Sequence, residues 1–140
     1  MKRTLAALPW LFLLVASLVL ASCATTPNRD EGLRQAQYAW SAAIRWGDFE
    51  GAWTLVDPEY REAHPMTALE FSRYDQVRIS GYHESGAQVD ETSASRRVEL
   101  GVINRNTQVQ RQVGYLEQWR YDPVAKKWWV NSGLPDLWND

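Results

Sequence analysis

The spacing of apolar residues changes once along this chain, and that change restricts the folds open to it. Before Gln76 apolar residues recur every three or four positions; beyond it they alternate. The first pattern is one face of a helix and the second one face of a strand. Leu33, Ala36, Trp40, Ala43 and Ile44 form a single helical stripe. Asn28 or Asp30 can cap its start, and Gly47 is placed to end it. Asp48 reads as the N-cap of a shorter helix with Phe49, Ala52, Trp53 and Val56 on its apolar side. Asp57-Pro58 ends that helix, because proline restricts the residue before it and has no N–H to donate. His64-Pro65 marks a turn, and Thr67 to Tyr74 fits a third short helix.

After Gln76, Val77 and Ile79 alternate with Arg78 and Ser80, and Tyr82 follows Gly81. Glu84 to Gln88, with Gly86 inside it, reads as a turn. Val98, Leu100 and Val102 share one parity, and so do Val109, Val113, Tyr115, Trp119 and Tyr121. Leu116 lies on the opposite face. Asn104-Arg105-Asn106 and Asp122-Pro123 are tight connections, and Trp128-Trp129-Val130 starts the last strand. Helices first and three to five antiparallel strands afterwards make an α+β protein, with N-terminal helices packed on one face of an antiparallel sheet.

The beginning of the chain is read apart from this domain. Lys2 and Arg3 precede an apolar run from Leu5 to Leu20, broken only by Pro9 and Ser17. The run is short for a membrane span, which takes about 20 apolar residues. It has the build of a secretory signal peptide. Leu20-Ala21-Ser22-Cys23 at its end resembles the lipobox of bacterial lipoproteins. That resemblance implies cleavage after Ser22 and acylation of Cys23 with chains such as palmitate. Ala24, in place of an aspartate, implies export to the outer membrane, on its periplasmic face. The alternative is an ordinary secreted chain with an accidental cysteine near the cut. Cys23 is the only cysteine, so the monomer has no internal disulfide. Two or more acyl chains hold a protein stably to a bilayer, at about 0.8 kcal/mol per buried CH₂.

The expected organisation is a signal peptide over 1–22, a lipidated Cys23 and short tether over 23–30, and one domain over 31–140. Seven tether residues reach at most about 20 Å. The whole chain carries 15 Lys and Arg against 17 Asp and Glu; without Lys2 and Arg3 the balance is 13 against 17. No nucleic-acid partner is expected from that balance, because such binding needs a basic patch. Arg96-Arg97 and Lys126-Lys127, the only adjacent basic pairs after residue 22, read as solvated strand or turn surface.

Gly47-Asp48-Phe49-Glu50-Gly51-Ala52-Trp53, followed by Asp57-Pro58-Glu59-Tyr60-Arg61, is similar to a pattern of the NTF2-like, or cystatin-like, superfamily. The hairpin from Trp119 to Val130 also resembles that group. The resemblance covers most of Leu33 to Val130. It implies a cone, in which a curved sheet and the helices enclose a pocket. It implies no single activity, since the fold hosts isomerases, dehydratases and inert accessory domains.

Aromatic residues are the heaviest component that remains: seven of the eight Trp, all six Tyr, and Phe49 and Phe71 lie beyond residue 22. Trp and Tyr bury large areas, so core packing accounts for many of them. The sharper reading has Trp40, Trp53, Tyr82, Tyr115 and Trp119 lining an apolar pocket. Trp46, Trp129 and Trp138 are harder to bury together and could mark an exposed patch or a contact with the bilayer.

No catalytic residue is assigned. An acid/base site would need a tuned pocket carboxylate or His83. In isomerase-like members of the superfamily a Tyr and acidic residues share the pocket, which Tyr82 with Asp90 or Glu99 could imitate. No phosphate loop or nucleophile elbow is present in the sequence. No metal site is expected from His64 and His83, or from Asp57, Glu59 and Glu62 near the first of them. No cofactor is expected. The reading is a membrane-anchored periplasmic accessory or binding domain, with the bilayer as partner through Cys23. A small apolar ligand or an envelope protein would be its target. The alternative is a small cofactor-independent isomerase or lyase.

Overall fold

The computed structural model of the chain describes residues 28–138. The expected signal peptide, the expected acylation site at Cys23 and the expected tether before Asn28 lie outside the described residues. Among the described residues, no helix is long and apolar enough to cross a membrane.

Helix α1 spans Arg29–Trp46. Asn28 caps it, its side chain accepting from the Asp30 N–H. Asp30 and Glu31 in the first turn and Arg45 in the last complement the helix dipole. Gly47 ends it with φ 74°, donating to Ile44 O. A residue with a side chain strains in that left-handed conformation, which is why glycine stands there. Leu33, Trp40, Ser41 and Ile44 are buried on its inner side.

Helix α2 is shorter than its apolar pattern implies, spanning Phe49–Trp53 behind the Asp48 cap. Val56 was expected on its apolar side. Instead it leaves the helix and forms a parallel bridge to Val130. The Asp57 N–H donates to Val130 O and the Val130 N–H to Leu55 O. These bonds cover part of the last strand's open edge, where a β-branched residue is at home. Asp57-Pro58 closes one helix and opens another. Helix α3, Pro58–Ala63, has Asp57 as N-cap and Pro58 in its first turn. Helix α4, Ala68–Tyr74, matches the expected third helix and starts on a capping box of Thr67 and Glu70.

Four strands follow: β1 (Val77–Val89), β2 (Ser93–Asn104), β3 (Gln110–Asp122) and β4 (Lys127–Val130). They form one antiparallel sheet in the order β1-β2-β3-β4. The turn expected at Glu84 to Gln88 is not one. β1 runs through it, absorbing an irregular register between Glu84 and Gly86. Asn104 Oδ1 accepts from the N–H groups of Asn106 and Thr107, and Asp122 Oδ1 from those of Val124 and Ala125. Those side chains shape the two later turns.

The helices and the antiparallel sheet are as expected; the cone is not formed. The sheet is open, with β1 and β4 as opposite edges, and it neither closes nor curls strongly. Element lengths explain this. α1 has 18 residues, about 27 Å. β1 has 13, about 44 Å. The other helices have five to seven residues each. The far half of β1 therefore has no covering layer, and residues 83–89 are exposed.

The core lies between α1 and the sheet. Trp40, Ile44, Leu100, Val102 and Trp119 are almost wholly buried there. Trp40 and Trp119 meet edge to face, with ring centroids 6.2 Å apart. The residues after β4 close one end. Tyr74 donates to Pro135 O at 3.1 Å, and Tyr115 to Gly133 O at 2.8 Å. Gly133 has φ 73°, and a Cβ there would lie 2.6 Å from the Tyr60 hydroxyl.

Candidate ligand cleft and the buried polar cluster behind it

Strand parity brings Arg96, Glu117 and Trp119 onto the inner face of the sheet, and the register shift between Ile79 and Gly81 turns Tyr82 to the same face. Arg96 and Glu117 are directly opposed across β2 and β3. Glu117 is 0% exposed and Arg96 6%. Arg96 donates to Glu117 Oε2 through Nε at 2.8 Å and through Nη2 at 2.7 Å. The Tyr82 hydroxyl donates to Glu117 Oε1. Trp119 Nε1 lies 3.2 Å from Oε2 and also donates. The other side of the guanidinium reaches Glu84 at 2.7 Å, a residue about half exposed.

A buried charge is costly unless it is paired and hydrogen-bonded. Here both charges are paired and both carboxylate oxygens of Glu117 are engaged. Burial, then the Glu117 carboxylate, push the Tyr82 phenol well above its usual range. Tyr82 is thus held as a proton donor at neutral pH, not as a base. Glu117, shut away from solvent, has no surface to offer a substrate. The cluster locks the sheet's inner face.

Arg96 corrects the sequence reading: it is buried, while its neighbour Arg97 is exposed. The signal was present in the alternation. Arg96 stands between Ala94 and Val98, and Glu117 between Tyr115 and Trp119, each on the apolar parity of its strand.

On the far side of Trp119 is a cleft of about 350 Å³, between the start of α1 and the β3–β4 hairpin. Its wall is Ala36, Ala39, Leu55, Trp119, Tyr121 and Trp128; Arg29, Lys126 and Lys127 stand at its rim. The Arg29 guanidinium carbon sits 4.8 Å above the Tyr121 ring. Trp128 Nε1 donates to Arg29 O at 3.0 Å, fastening the start of α1 to β4. No carboxylate or histidine lines this cleft.

The five aromatic candidates fall in different places. Trp119 lines the cleft and Trp40 packs behind it. Tyr82 belongs to the polar cluster. Tyr115 bonds Ser132 and Gly133. Trp53 is half-buried between Tyr60 and Phe71, 6.3 Å from each ring. Of the three tryptophans read as hard to bury together, Trp46 is 87% exposed, while Trp129 and Trp138 are partly covered. The cleft residues of α1 and β4 went unread in the sequence, because only the pairing of α1 with the hairpin brings them together.

The acid/base candidates do not converge. Asp90 accepts from Ser93 in a turn, and His83 and Glu99 are cross-strand partners on the exposed side of the sheet. His64 stacks on Tyr60 at 4.3 Å. Among the described residues, no three His, Cys, Asp or Glu are grouped to hold a metal ion.

The fold and cleft define a small α+β domain with a filled interior and an open, aromatic-walled groove at one end. It is similar to two solved proteins described as containing a SEC-C motif. The solution structure from Rhodopseudomonas palustris matches with TM-score 0.57 and 13% identity, over 72% of this chain and 76% of that one. The crystal structure from Psychrobacter arcticus matches with TM-score 0.56 and 7% identity, over 82% and 72%. At such identities the likeness is one of fold alone. An NTF2-like protein from Campylobacter jejuni overlaps at TM-score 0.41 and 10% identity, over 70% and 95%, too loosely to inform the chemistry. No protein-family model and no curated protein matches the sequence.

Proposed function

We propose that this chain is a lipid-anchored, non-catalytic domain on the periplasmic face of the bacterial outer membrane, which binds a small apolar ligand in the cleft beside Asn28. The aromatic-walled cleft carries the reading. Its volume of about 350 Å³ sits at the low end of small-molecule sites, roughly 300–1,000 Å³. Its position supports the reading further. Cys23 is five residues before Asn28, a reach of at most about 17 Å. An acylated Cys23 would keep the cleft within two nanometres or so of the bilayer, where apolar ligands are concentrated. A non-catalytic role fits the cluster behind the wall: Glu117 is sealed and satisfied, and Tyr82 is kept protonated.

Two measurements on the full chain test this. Mass spectrometry of the native protein should find acyl chains on Cys23, and Cys23→Ser should move the processed protein into the soluble fraction. An unmodified native Cys23 would remove the anchor from the proposal. An apolar fluorescent probe should bind saturably, and Ala36→Trp, which fills the cleft from the α1 side, should abolish that binding. Undiminished binding in the folded variant would place the ligand elsewhere.

A further inference from the structure

We infer that the cleft takes a single-chain anionic amphiphile: one alkyl chain bearing a carboxylate or phosphate head. This rests on the reading of the cleft as a ligand site and adds the class of ligand. The chain as a whole is acidic, with formal net charge −2, yet every charged residue lining the cleft is a cation.

None of those cations is held in an ion pair among the described residues. Arg34, Arg96 and Arg120 each pair with a carboxylate. Among the described residues, Arg29, Lys126 and Lys127 pair with none. The acidic groups nearest along the chain do not line the cleft, although Asp122 stands opposite Lys127 across the hairpin. Glu31 accepts from Arg34 and Gln35, Asp122 from backbone N–H groups of its own turn, and Asp30 does not line the cleft.

Placement of the charges completes the match. Tyr121 holds the Arg29 guanidinium against one wall by a cation–π contact. Lys127 Nζ rests 4.0 Å over the ring of Trp129, a residue outside the cleft lining. The planar guanidinium fork suits a carboxylate or a phosphate, and the exposed amines add positive potential around it. The walls below are apolar. An alkyl tail can lie against Ala36, Leu55 and Trp119 while its anionic head stays at the rim, in contact with water. The volume accommodates one slender chain.

The test uses the full chain held in phosphatidylcholine nanodiscs, titrated with dodecanoate, dodecyl phosphate, dodecanol and dodecyltrimethylammonium, and read by tryptophan fluorescence. At least one anion should bind roughly tenfold more tightly than dodecanol or the ammonium. The stronger of the two anions identifies the head as carboxylate or phosphate. Arg29→Gln/Lys126→Gln should bring the anions down to the affinity of dodecanol and leave dodecanol unchanged. Equal affinities for anions and dodecanol in the wild type would overturn the head-group inference while leaving the cleft as an apolar site. Absence of saturable binding by all four, or binding that Ala36→Trp leaves intact, would overturn the cleft reading and this inference with it.

Discussion

Glu117→Ala should cost the fold about 3–5 kcal/mol, the range for breaking a buried ion pair by removing one partner. The substitution deletes the acceptor of Tyr82, Arg96 and Trp119 together. It leaves the Arg96 guanidinium buried with the Tyr82 hydroxyl as an acceptor and Glu84, at the edge of solvent, as its one remaining carboxylate. Most of the loss comes from that stranded cation. Replacing the polar members together should therefore be milder: Tyr82→Phe/Arg96→Met/Glu117→Leu removes the buried charges along with their needs. Urea unfolding of the two variants checks both statements. A Glu117→Ala loss below about 1 kcal/mol, or a triple variant weaker than the single, would show that the cluster does not hold the sheet as described.

Trp40→Ala should cost about 3–5 kcal/mol through lost burial and the cavity left behind. Trp40 is fully buried on α1 and is the edge-to-face partner of Trp119, so the cavity would open directly behind the cleft wall. Trp40→Phe should be much less harmful than its lost area implies. The Trp40 indole N–H is buried without a hydrogen-bond partner, and phenylalanine removes that orphaned donor. Midpoints in urea should rank wild type, Trp40→Phe and Trp40→Ala in that order of stability. A Trp40→Ala midpoint close to wild type would mean that α1 is not clamped to the sheet by this residue.

Much of the architecture was legible before any coordinates. Asp48 and Gly47 announced helix ends by a side chain or by the absence of one, and Asn28 was one of two cap candidates with Asp30. Such signals are local, and local bonds satisfy them. Three misreadings involve a residue whose role was decided by a distant neighbour. Val56 looked helical but is claimed by the free edge of β4. Gly86 looked like a turn, but β2 extends far enough to keep pairing past it. Arg96 looked solvated because its partner Glu117 stands 21 residues away.

The amino-acid order alone determined the class: helices, then an antiparallel meander, because hydrophobic period and capping act over a few residues. It also placed Arg96, Glu117 and Trp119 on the apolar parity of their strands, although nothing in the order told a paired charge from a solvated one; Tyr82, off the parity of Val77 and Ile79, reaches the same face through the register shift after Ile79. Tertiary structure decided whether the sheet would close, since closure depends on how far one 18-residue helix reaches along 13-residue strands. It likewise made the cleft, whose walls are contributed by α1, the segment after α2, and the hairpin of β3 and β4. Contacts of that kind depend on the free energy of burying surfaces together, a sum over many pairs that no single stretch of sequence contains.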